Sequence, residues 1–180
     1  MATVYSTQYI PNSRSGIAKR QYVKSNAAPN ELVVITQMCE NTTLDALLGG
    51  MSELEVNLAI FDLAEGLRYL HEEARVLHRN IRGQSVLMRG CRYLISDFSE
   101  AEVLAAGARI RGLAGKKYCM SPEMLAEQPY NFPSDIWALG ILFAELMVGI
   151  PFRTMENKIA ALLPDFPESF LPRIGESWKK

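Results

Sequence analysis

The stretch Val76–Glu100, VLHRNIRGQSVLMRGCRYLISDFSE, places a polar triplet on each side of two short apolar runs. The first triplet is HRN at 78–80, and the second is DFS at 97–99. The runs SVLM and RYLIS flank Arg89 and Gly90, and a glycine turn between two β-prone runs is typical of a hairpin. The sequence therefore predicts a polar loop, a β-hairpin and a second polar loop in succession.

One long helix is predicted before this stretch and another after it. Ser52 and Glu55 form the S-x-x-E pattern of a capping box. Apolar residues then recur every three or four positions to about His71, namely Val56, Ile60, Leu63, Leu67 and Leu70. Ser134 is predicted to cap the second helix, whose apolar stripe is Ile136, Leu139, Phe143, Leu146 and Met147. We expect one core to contain Val56, Ile60, Leu63, Leu67, Ile136, Leu139, Phe143 and Leu146.

Shorter elements are predicted around the two helices. One strand is expected at Arg20–Val23 and another in ELVVITQM at 31–38. A short helix is expected in the following CENTTLDALLGG, and another at Pro122. A last helix is expected at Glu156–Leu163, after which regular structure is prevented by Pro164, Pro167 and Pro172.

Length and composition limit the classes of function. The chain has 180 residues and a formal net charge of −1, which favours one domain and argues against nucleic acid as a partner. The cysteines and histidines lack zinc-site spacing, and the absence of a secretory signal predicts a cytoplasmic protein with reduced thiols. The apolar stretch 136–152 contains Glu145 and is broken by Gly149 and Pro151, so a core helix is expected there rather than a membrane span.

Three motifs in order resemble the signature of eukaryotic protein kinases. HRNIRGQS resembles H-R-D-L-x-x-x-N, DFS resembles D-F-G, and SPE at 121–123 resembles A-P-E. The resemblance implies a mainly α (α+β) fold, the C-terminal lobe of a protein kinase with a remnant of the N-terminal lobe and a hinge strand. It further implies a polar arm or partial N-terminal lobe at 1–30, and a kinase-like domain at 31–178 that is truncated at its C-terminal end.

The resemblance also implies where a nucleotide would lie. VVITQMCENTTLDALL is similar to the strand and hinge of tyrosine kinases, with Thr36 at the gate and with Gln37, Met38 and Cys39 at the hinge. The stretch around SPE would suit serine/threonine kinases equally, so the subgroup stays open. The pattern G-x-G-x-x-G of the phosphate loop does not occur in the 180 residues. Lys19 lies too close to the hinge strand to be the nucleotide lysine of the family.

The catalytic loop departs from the family pattern at the positions of the catalytic base and of a metal ligand. Asn80 stands at the position of the catalytic aspartate, and an amide has no basic lone pair at neutral pH. Ser85 replaces the asparagine that holds a second magnesium ion, and Ser99 replaces the glycine of D-F-G. Asp97 keeps one carboxylate for a metal ion. Arg82 lies between the two altered positions of the loop.

Four further residues are expected to have structural roles. Arg79 is expected to contact a carboxylate or a loop carbonyl, because no Ser, Thr or Tyr lies between residues 100 and 117 to carry a phosphate. Asp135 resembles the buried aspartate that fastens the catalytic loop, and the alternative is an ordinary first-turn acid. His78 is expected to be a buried, hydrogen-bonded histidine. Glu123 resembles the glutamate of A-P-E, and its partner is left open.

The leading hypothesis is a catalytically inactive kinase-like domain, a pseudokinase, that binds no cofactor and acts through protein contacts. Its partner would be a protein that covers the truncated face of the lobe, and neither a nucleic acid nor a membrane. One alternative is a divergent kinase that binds ATP and magnesium and retains phosphotransfer to Ser, Thr or Tyr. Another is the non-functional product of a truncated gene.

Overall fold

A computed structural model describes residues 20–24, 32–36, 39–40 and 42–151. The first two segments are strands β1 (Arg20–Lys24) and β2 (Leu32–Thr36), which pair antiparallel with Arg20 opposite Thr36. Both strands lie where the sequence predicts them. Of the predicted arm at 1–30, the structure describes Arg20–Lys24, and the predicted helix Glu156–Leu163 lies outside the described residues.

The remaining described residues form three helices and two further two-stranded antiparallel sheets. The helices are α1 (Glu53–Arg68), α2 (Pro122–Leu125) and α3 (Pro133–Val148). The strands are β3 (Val76–Leu77), β4 (Val86–Arg89), β5 (Arg92–Ile95) and β6 (Glu102–Val103), paired β3 with β6 and β4 with β5. Short 3₁₀ turns lie at Leu44–Leu47, Gly83–Ser85, Phe98–Glu100 and Lys117–Cys119.

Helix α1 begins at the predicted capping box. The backbone N–H of Ser52 donates to Glu55 Oε2 at 2.7 Å, and the backbone N–H of Glu55 donates to Ser52 Oγ at 3.3 Å. After Arg68 the chain continues through one wider turn at Tyr69–Glu73, so the helical region reaches the predicted end near His71. Its inner face buries Val56, Ala59, Leu63 and Leu67, while Ile60 is half-buried at the edge of the core.

The β4–β5 hairpin confirms the prediction from the sequence and packs on α1. Gly90 lies in its turn with φ +58°, a conformation that costs glycine little. The buried carboxylate of Asp62 on α1 accepts a hydrogen bond from the backbone N–H of Tyr93 at 3.0 Å. The same carboxylate forms an ion pair with Arg92 at 2.9 Å. These contacts attach the hairpin to the helix. Both polar loops lie at the open end of the hairpin, one before β4 and the other after β5.

The predicted start of α3 is wrong. Ser134 is not the cap, because the helix begins at Pro133 and Ser134 lies in its first turn. The Ser134 hydroxyl instead donates to Glu123 Oε1 and accepts from Ser121 Oγ, both at 3.0 Å. Proline at the first helical position needs no N–H partner there, so Pro133 starts the helix.

The predicted buried stripe of α3 is correct for Leu139 and Leu146 and wrong for three other residues. Ile136, Phe143 and Met147 are exposed by 52%, 39% and 55%. The buried face is formed by Ser134, Asp135, Ala138, Leu139, Leu142, Glu145 and Leu146. Two of the eight residues predicted for the core, Ile136 and Phe143, therefore lie outside it. Because α3 is apolar around most of its circumference, periodicity does not determine its inner face.

Helix α3 ends where glycine and proline predicted an interruption. Gly149 follows Val148 with φ +74°, and its backbone N–H donates to the Glu145 carbonyl at 2.8 Å. A Cβ atom at Gly149 would lie 2.9 Å from the Cα atom of Gly49, so the two glycines allow a close backbone approach. Within the described segments, none of the helices has the length and apolar character needed to cross a membrane.

Candidate functional site

The loop that carries HRN is fastened by Asp135 in the first turn of α3. Its Oδ2 accepts hydrogen bonds from the backbone N–H of His78 and from Nε2 of His71, both at 2.8 Å. Its Oδ1 accepts from the backbone N–H of Arg79 at 2.8 Å. The carboxylate is fully buried at a helix N-terminus, where the helix dipole favours negative charge. Asp135 therefore has the anchoring contacts expected of it, and more than those of an ordinary first-turn acid.

His78 is a buried histidine whose two ring nitrogens both have partners. Its Nδ1 accepts from the backbone N–H of Asn80 at 3.2 Å, and its Nε2 donates to the Ser96 carbonyl at 2.9 Å. Because an N–H only donates and a carbonyl only accepts, these partners place the ring proton on Nε2. The Phe98 ring packs edge-on against the imidazole at 4.8 Å. This geometry links the HRN loop to the DFS loop and leaves the ring no role as a base.

The side chain of Arg79 contacts the chain just after DFS. Its Nε donates to the Glu100 carbonyl at 2.5 Å, and its Nη2 lies 3.4 Å from Glu102 Oε2. The backbone of Arg79 has φ +64°, a conformation held by its N–H bond to Asp135. The carbonyl and carboxylate contacts expected for Arg79 are both present. The carboxylate partner is Glu102, which the sequence did not single out.

Asn80 lies between the two charged groups of the site. Its Nδ2 donates to Asp97 Oδ2 at 3.0 Å, and its Oδ1 accepts from Arg82 Nε at 3.1 Å. Arg82 Nη2 in turn lies 4.0 Å from Asp97 Oδ2, and Arg82 Nη1 donates to Gln84 Oε1. The side chain of Asn80 is buried, so both ends of its amide are used within the protein. The three side chains form a closed polar network.

Asp97 retains its negative charge, and each of its two oxygens accepts a hydrogen bond. Its second oxygen, Oδ1, accepts a hydrogen bond from Ser99 Oγ at 2.7 Å. Burial by itself raises the pKa of the Asp97 carboxyl, but the hydrogen bonds from Ser99 and nearby positive charge, including Arg82, lower it below its ordinary value. The left-handed residue of the loop is Asp97, with φ +57°, and not Ser99. Replacing glycine by Ser99 therefore adds a hydroxyl partner for Asp97 rather than backbone strain.

The side chain of Ser85 forms hydrogen bonds with the backbone of its own loop. Its hydroxyl donates to the Arg82 carbonyl at 2.9 Å and accepts from the Arg82 backbone N–H at 3.0 Å. The residue is fully buried. Its side chain therefore closes the 3₁₀ turn at Gly83–Ser85.

The residues expected to meet a nucleotide are only partly described. Thr36 ends β2, whose backbone alone is described, and Gln37 and Met38 lie outside the described residues. Cys39 is half-buried. Of the other cysteines, Cys91 is exposed and Cys119 is buried, and burial raises the pKa of the Cys119 thiol.

The donor set does not fit a magnesium ion in this arrangement. Asp97 is the one carboxylate within the HRN and DFS triplets, and each of its oxygens accepts a hydrogen bond. Ser85, the second expected ligand, is buried and bonded to its own loop. In the stretches 39–40 and 42–151, no group of three or more His, Cys, Asp or Glu side chains is arranged to hold a metal ion.

Two supporting contacts were missed at the sequence level. Gly115 has φ +76°, and a Cβ atom there would collide with the carbonyl oxygen of Arg79, so the segment before SPE lies directly against the HRN loop. In the sequence, the presence of glycine at position 115 was the signal that could have predicted this close approach. Glu123, whose partner the sequence left open, accepts a hydrogen bond from Ser134.

Comparison with known protein families gives a match to the chain. The family described as "Protein kinase domain" matches residues 17–168, which is most of the chain.

Individual curated relatives agree with that match. The chain is 32% identical over 143 residues to "Putative 3-phosphoinositide-dependent protein kinase 2" of Homo sapiens, covering 74% of this chain and 36% of the relative. It is 32% identical over 143 residues to "3-phosphoinositide-dependent protein kinase 1" of Rattus norvegicus, covering 74% and 25%. It is 32% identical over 155 residues to "Serine/threonine-protein kinase 36" of Mus musculus, covering 83% and 12%. The chain thus spans between 12% and 36% of the length of these relatives.

Proposed function

Because the chain belongs to the protein kinase family, we propose that it is a catalytically inactive member, a pseudokinase, which acts through contacts with other proteins. One observation carries the proposal: Asn80 Nδ2 donates a hydrogen bond to Asp97 Oδ2 at 3.0 Å. At the position where the family pattern has an aspartate, the side chain is a hydrogen-bond donor. A general base must accept a proton from the substrate hydroxyl, and this amide cannot do so.

The loss of the base has a large kinetic effect. Positioned proton transfer contributes about 10² to 10⁴ in rate. No nearby side chain of the HRN loop replaces it, because both nitrogens of His78 are engaged with Ser96 and with the loop backbone. The geometry supports an HRN loop that keeps its folded conformation but lacks a catalytic base.

The same hydrogen-bond network supports a domain that binds its protein partner without a cofactor. A magnesium ion at Asp97 would have to displace the Asn80 amide or the Ser99 hydroxyl, both of which are within hydrogen-bonding distance. The guanidinium of Arg82 already supplies positive charge 4.0 Å from the same carboxylate. We therefore expect the site to be stable without a metal ion or a nucleotide.

A divergent kinase that binds ATP and magnesium is the second candidate. The observation in its favour is Asp97, whose side chain is 39% exposed and whose pKa is lowered, so that it is ionised at neutral pH. Two of the relatives described above are named as 3-phosphoinositide-dependent kinases and one as a serine/threonine kinase. The acceptor in this second candidate would accordingly be a serine or threonine hydroxyl.

A protein partner and a cytoplasmic location complete the proposal. Large apolar residues are exposed on α1 and α3, including Leu54, Phe61, Ile136 and Met147. Exposed apolar area of this kind is typical of a surface that contacts another protein. The cytoplasmic location is supported by the absence of zinc-site or disulfide-framework spacing among the cysteines.

The first test measures phosphotransfer. Purified chain, radiolabelled ATP and magnesium are incubated with peptides that offer Ser, Thr and Tyr hydroxyls. We expect label no higher than that of a blank without protein, because the base is absent. Transfer clearly above the blank that disappears in Asp97→Ala would contradict the proposal and establish the second candidate.

The second test measures stabilisation by nucleotide. A ligand that binds only the native state at one hundred times its Kd stabilises it by about 2.7 kcal/mol, which shifts the melting temperature visibly. We expect no shift in Tm with millimolar MgATP, because Asp97 is held by Asn80, Arg82 and Ser99. The matched variant Asp97→Asn should give the same result. A magnesium-dependent shift of several degrees that is lost in Asp97→Asn would show a working nucleotide site.

A further inference from the structure

Helix α1 has a second apolar face, opposite the face that packs in the core. Leu54, Leu58 and Phe61 lie on it and are 69%, 44% and 64% exposed. Glu65 and Arg68 continue the same line toward the end of the helix, with side chains 43% and 50% exposed. The five positions follow one another in alternating steps of four and three residues, which is the spacing of a coiled-coil seam. We name these five residues the outer stripe of α1.

The three apolar residues of the outer stripe have no role in the core of the described chain. None of them belongs to, or packs against, either of its hydrophobic clusters. The helix that carries them is nevertheless well anchored, since the capping box holds its first turn and Asp62 attaches its middle to the hairpin. An exposed apolar row on an ordered helix is typical of a surface that packs against another helix.

The charges at the two ends of α1 are opposite. Glu53 and Glu55 are exposed in the first turn, and Arg68 is exposed in the last turn. A second copy of the helix laid antiparallel would bring the Arg68 end of each copy beside the Glu53 end of the other. A parallel copy would instead place like charges together. The pairs that Arg68 forms with Glu65 and Glu72 in its own helix are exposed and therefore weak, so they leave it available for this contact.

We propose that two copies of this chain associate through the outer stripe, with their α1 helices antiparallel. Leu58 of each copy then packs against Phe61 of the other beside the two-fold axis, and Leu54 packs against the aliphatic part of Glu65. A two-fold interface repeats every contact, so both ends gain the same attraction. The proposal deepens the proposed function, because it names a second copy of the chain as a protein that the inactive domain contacts.

The exposed apolar residues of α3 do not select a partner in the same way. Ile136, Phe143 and Met147 are exposed, but the two acidic residues of the helix, Asp135 and Glu145, are both buried. The sequence of α3 contains no Lys or Arg. Its outer face therefore has no charge that would orient another helix, whereas α1 presents both signs, one at each end.

The contact is small, so the dimer is expected to be weak. Helix α1 has 16 residues and is about 24 Å long, and only three residues of its stripe are apolar. Interfaces below about 1,200 Å² are typical of transient complexes, so we expect dimers at about 100 μM chain and monomers at about 1 μM.

The first test is sedimentation equilibrium of the full chain over this range of concentration. Phe61→Ser is expected to weaken self-association at least tenfold, because it removes the apolar contact beside the two-fold axis. The matched control is Val103→Ser on β6, which lies outside the stripe and is 65% exposed against 64% for Phe61. It should leave self-association unchanged.

The second test reverses the charges at the ends of α1. Arg68→Glu is expected to weaken self-association several-fold, since it replaces an attraction by a repulsion. Adding Glu53→Arg to the same chain should restore it, because the reversed ends again meet their opposites. Arg89→Glu, at the exposed end of β4, changes the net charge as Arg68→Glu does and should have no effect. Far-UV circular dichroism checks that each variant is folded.

Disulfide crosslinking tests the orientation of the helices. With Cys39 and Cys91 replaced by serine, a single cysteine is placed on the stripe as Leu58→Cys or Leu54→Cys. In the antiparallel pair the two copies of position 58 are about 5 Å apart along the axis, and those of position 54 are about 17 Å apart. We therefore expect oxidation in air with a copper catalyst to crosslink Leu58→Cys much faster than Leu54→Cys.

Four results would overturn the inference. They are a monomer at every concentration, a Phe61→Ser variant that associates as well as the unaltered chain, a charge-swapped chain that stays as weak as Arg68→Glu, and equal crosslinking at the two positions. Phosphotransfer measured on the same preparations separates the two proposals. Transfer would overturn the inactive assignment alone, and a monomer without transfer would overturn only the dimer.

Discussion

Replacing Asp135 by alanine is expected to lower the free energy of unfolding by about 3 to 5 kcal/mol, because it removes the acceptor of three hydrogen bonds, two of them fully buried. The backbone N–H groups of His78 and Arg79 would lose their partner inside the protein, as would Nε2 of His71. Each buried donor left unsatisfied costs about 1 to 3 kcal/mol, and the three costs are not additive. Urea denaturation followed by far-UV circular dichroism measures the change.

The matched control is Glu53→Ala. Glu53 is also an acid in the first turn of a long helix, but it is exposed. Its removal should cost only the helix-dipole contribution, about 0.3 to 1 kcal/mol. Equal losses for the two variants would mean that Asp135 is an ordinary first-turn acid, contrary to its geometry. Proteolysis within the HRN loop should also increase in Asp135→Ala alone, since only that variant releases the loop backbone.

Local signals predicted the elements whose cause is local. The capping box of Ser52 and Glu55 determines the start of α1, and Arg89-Gly90 between two β-prone runs determines the hairpin turn. These contacts join residues a few positions apart, so they are visible in the sequence. The order of the HRN, DFS and SPE motifs was likewise enough to indicate the protein kinase family, which the match over residues 17–168 shows.

The inner face of α3 depends on distant contacts and was predicted incorrectly. Its face is selected by Asp135, which binds the HRN loop, and by Ser134, which binds Ser121 and Glu123. A hydrophobic pattern that runs around the whole helix contains no information about these bonds. Pro133 was a better signal for the start of the helix than Ser134, because proline favours the first helical position.

The site residues were predicted from the motif, but their partners were not. The positions of Asn80 and Asp97 follow from the sequence, whereas the hydrogen bond between them depends on how the two loops meet at the open end of the hairpin. From the sequence, Ser99 was interpreted only as a residue that replaces the glycine of D-F-G. In the structure its hydroxyl is a partner for Asp97. Side-chain contacts of this kind require the tertiary arrangement.

Leu63→Ala is expected to destabilise the protein by about 2 to 5 kcal/mol. Leu63 is fully buried on the inner face of α1 and belongs to the main hydrophobic cluster together with Leu139, Leu142 and Leu146 of α3. The substitution removes buried apolar atoms and leaves a cavity that the surrounding side chains fill only in part. Chemical denaturation measures the loss, and an unchanged m-value would show that the compactness of the unfolded state is the same.

The matched control is Leu54→Ala on the same helix. Leu54 is 69% exposed, so its truncation should change the free energy of unfolding by about 0.5 kcal/mol or less. A second comparison tests the corrected face of α3, where Leu139→Ala should cost several times more than Ile136→Ala because Leu139 is 8% exposed and Ile136 is 52% exposed. If Ile136→Ala were the more damaging change, Ile136 would lie in the core, as periodicity first predicted. A loss below about 0.5 kcal/mol for Leu63→Ala would mean that the register of α1 is wrong as well.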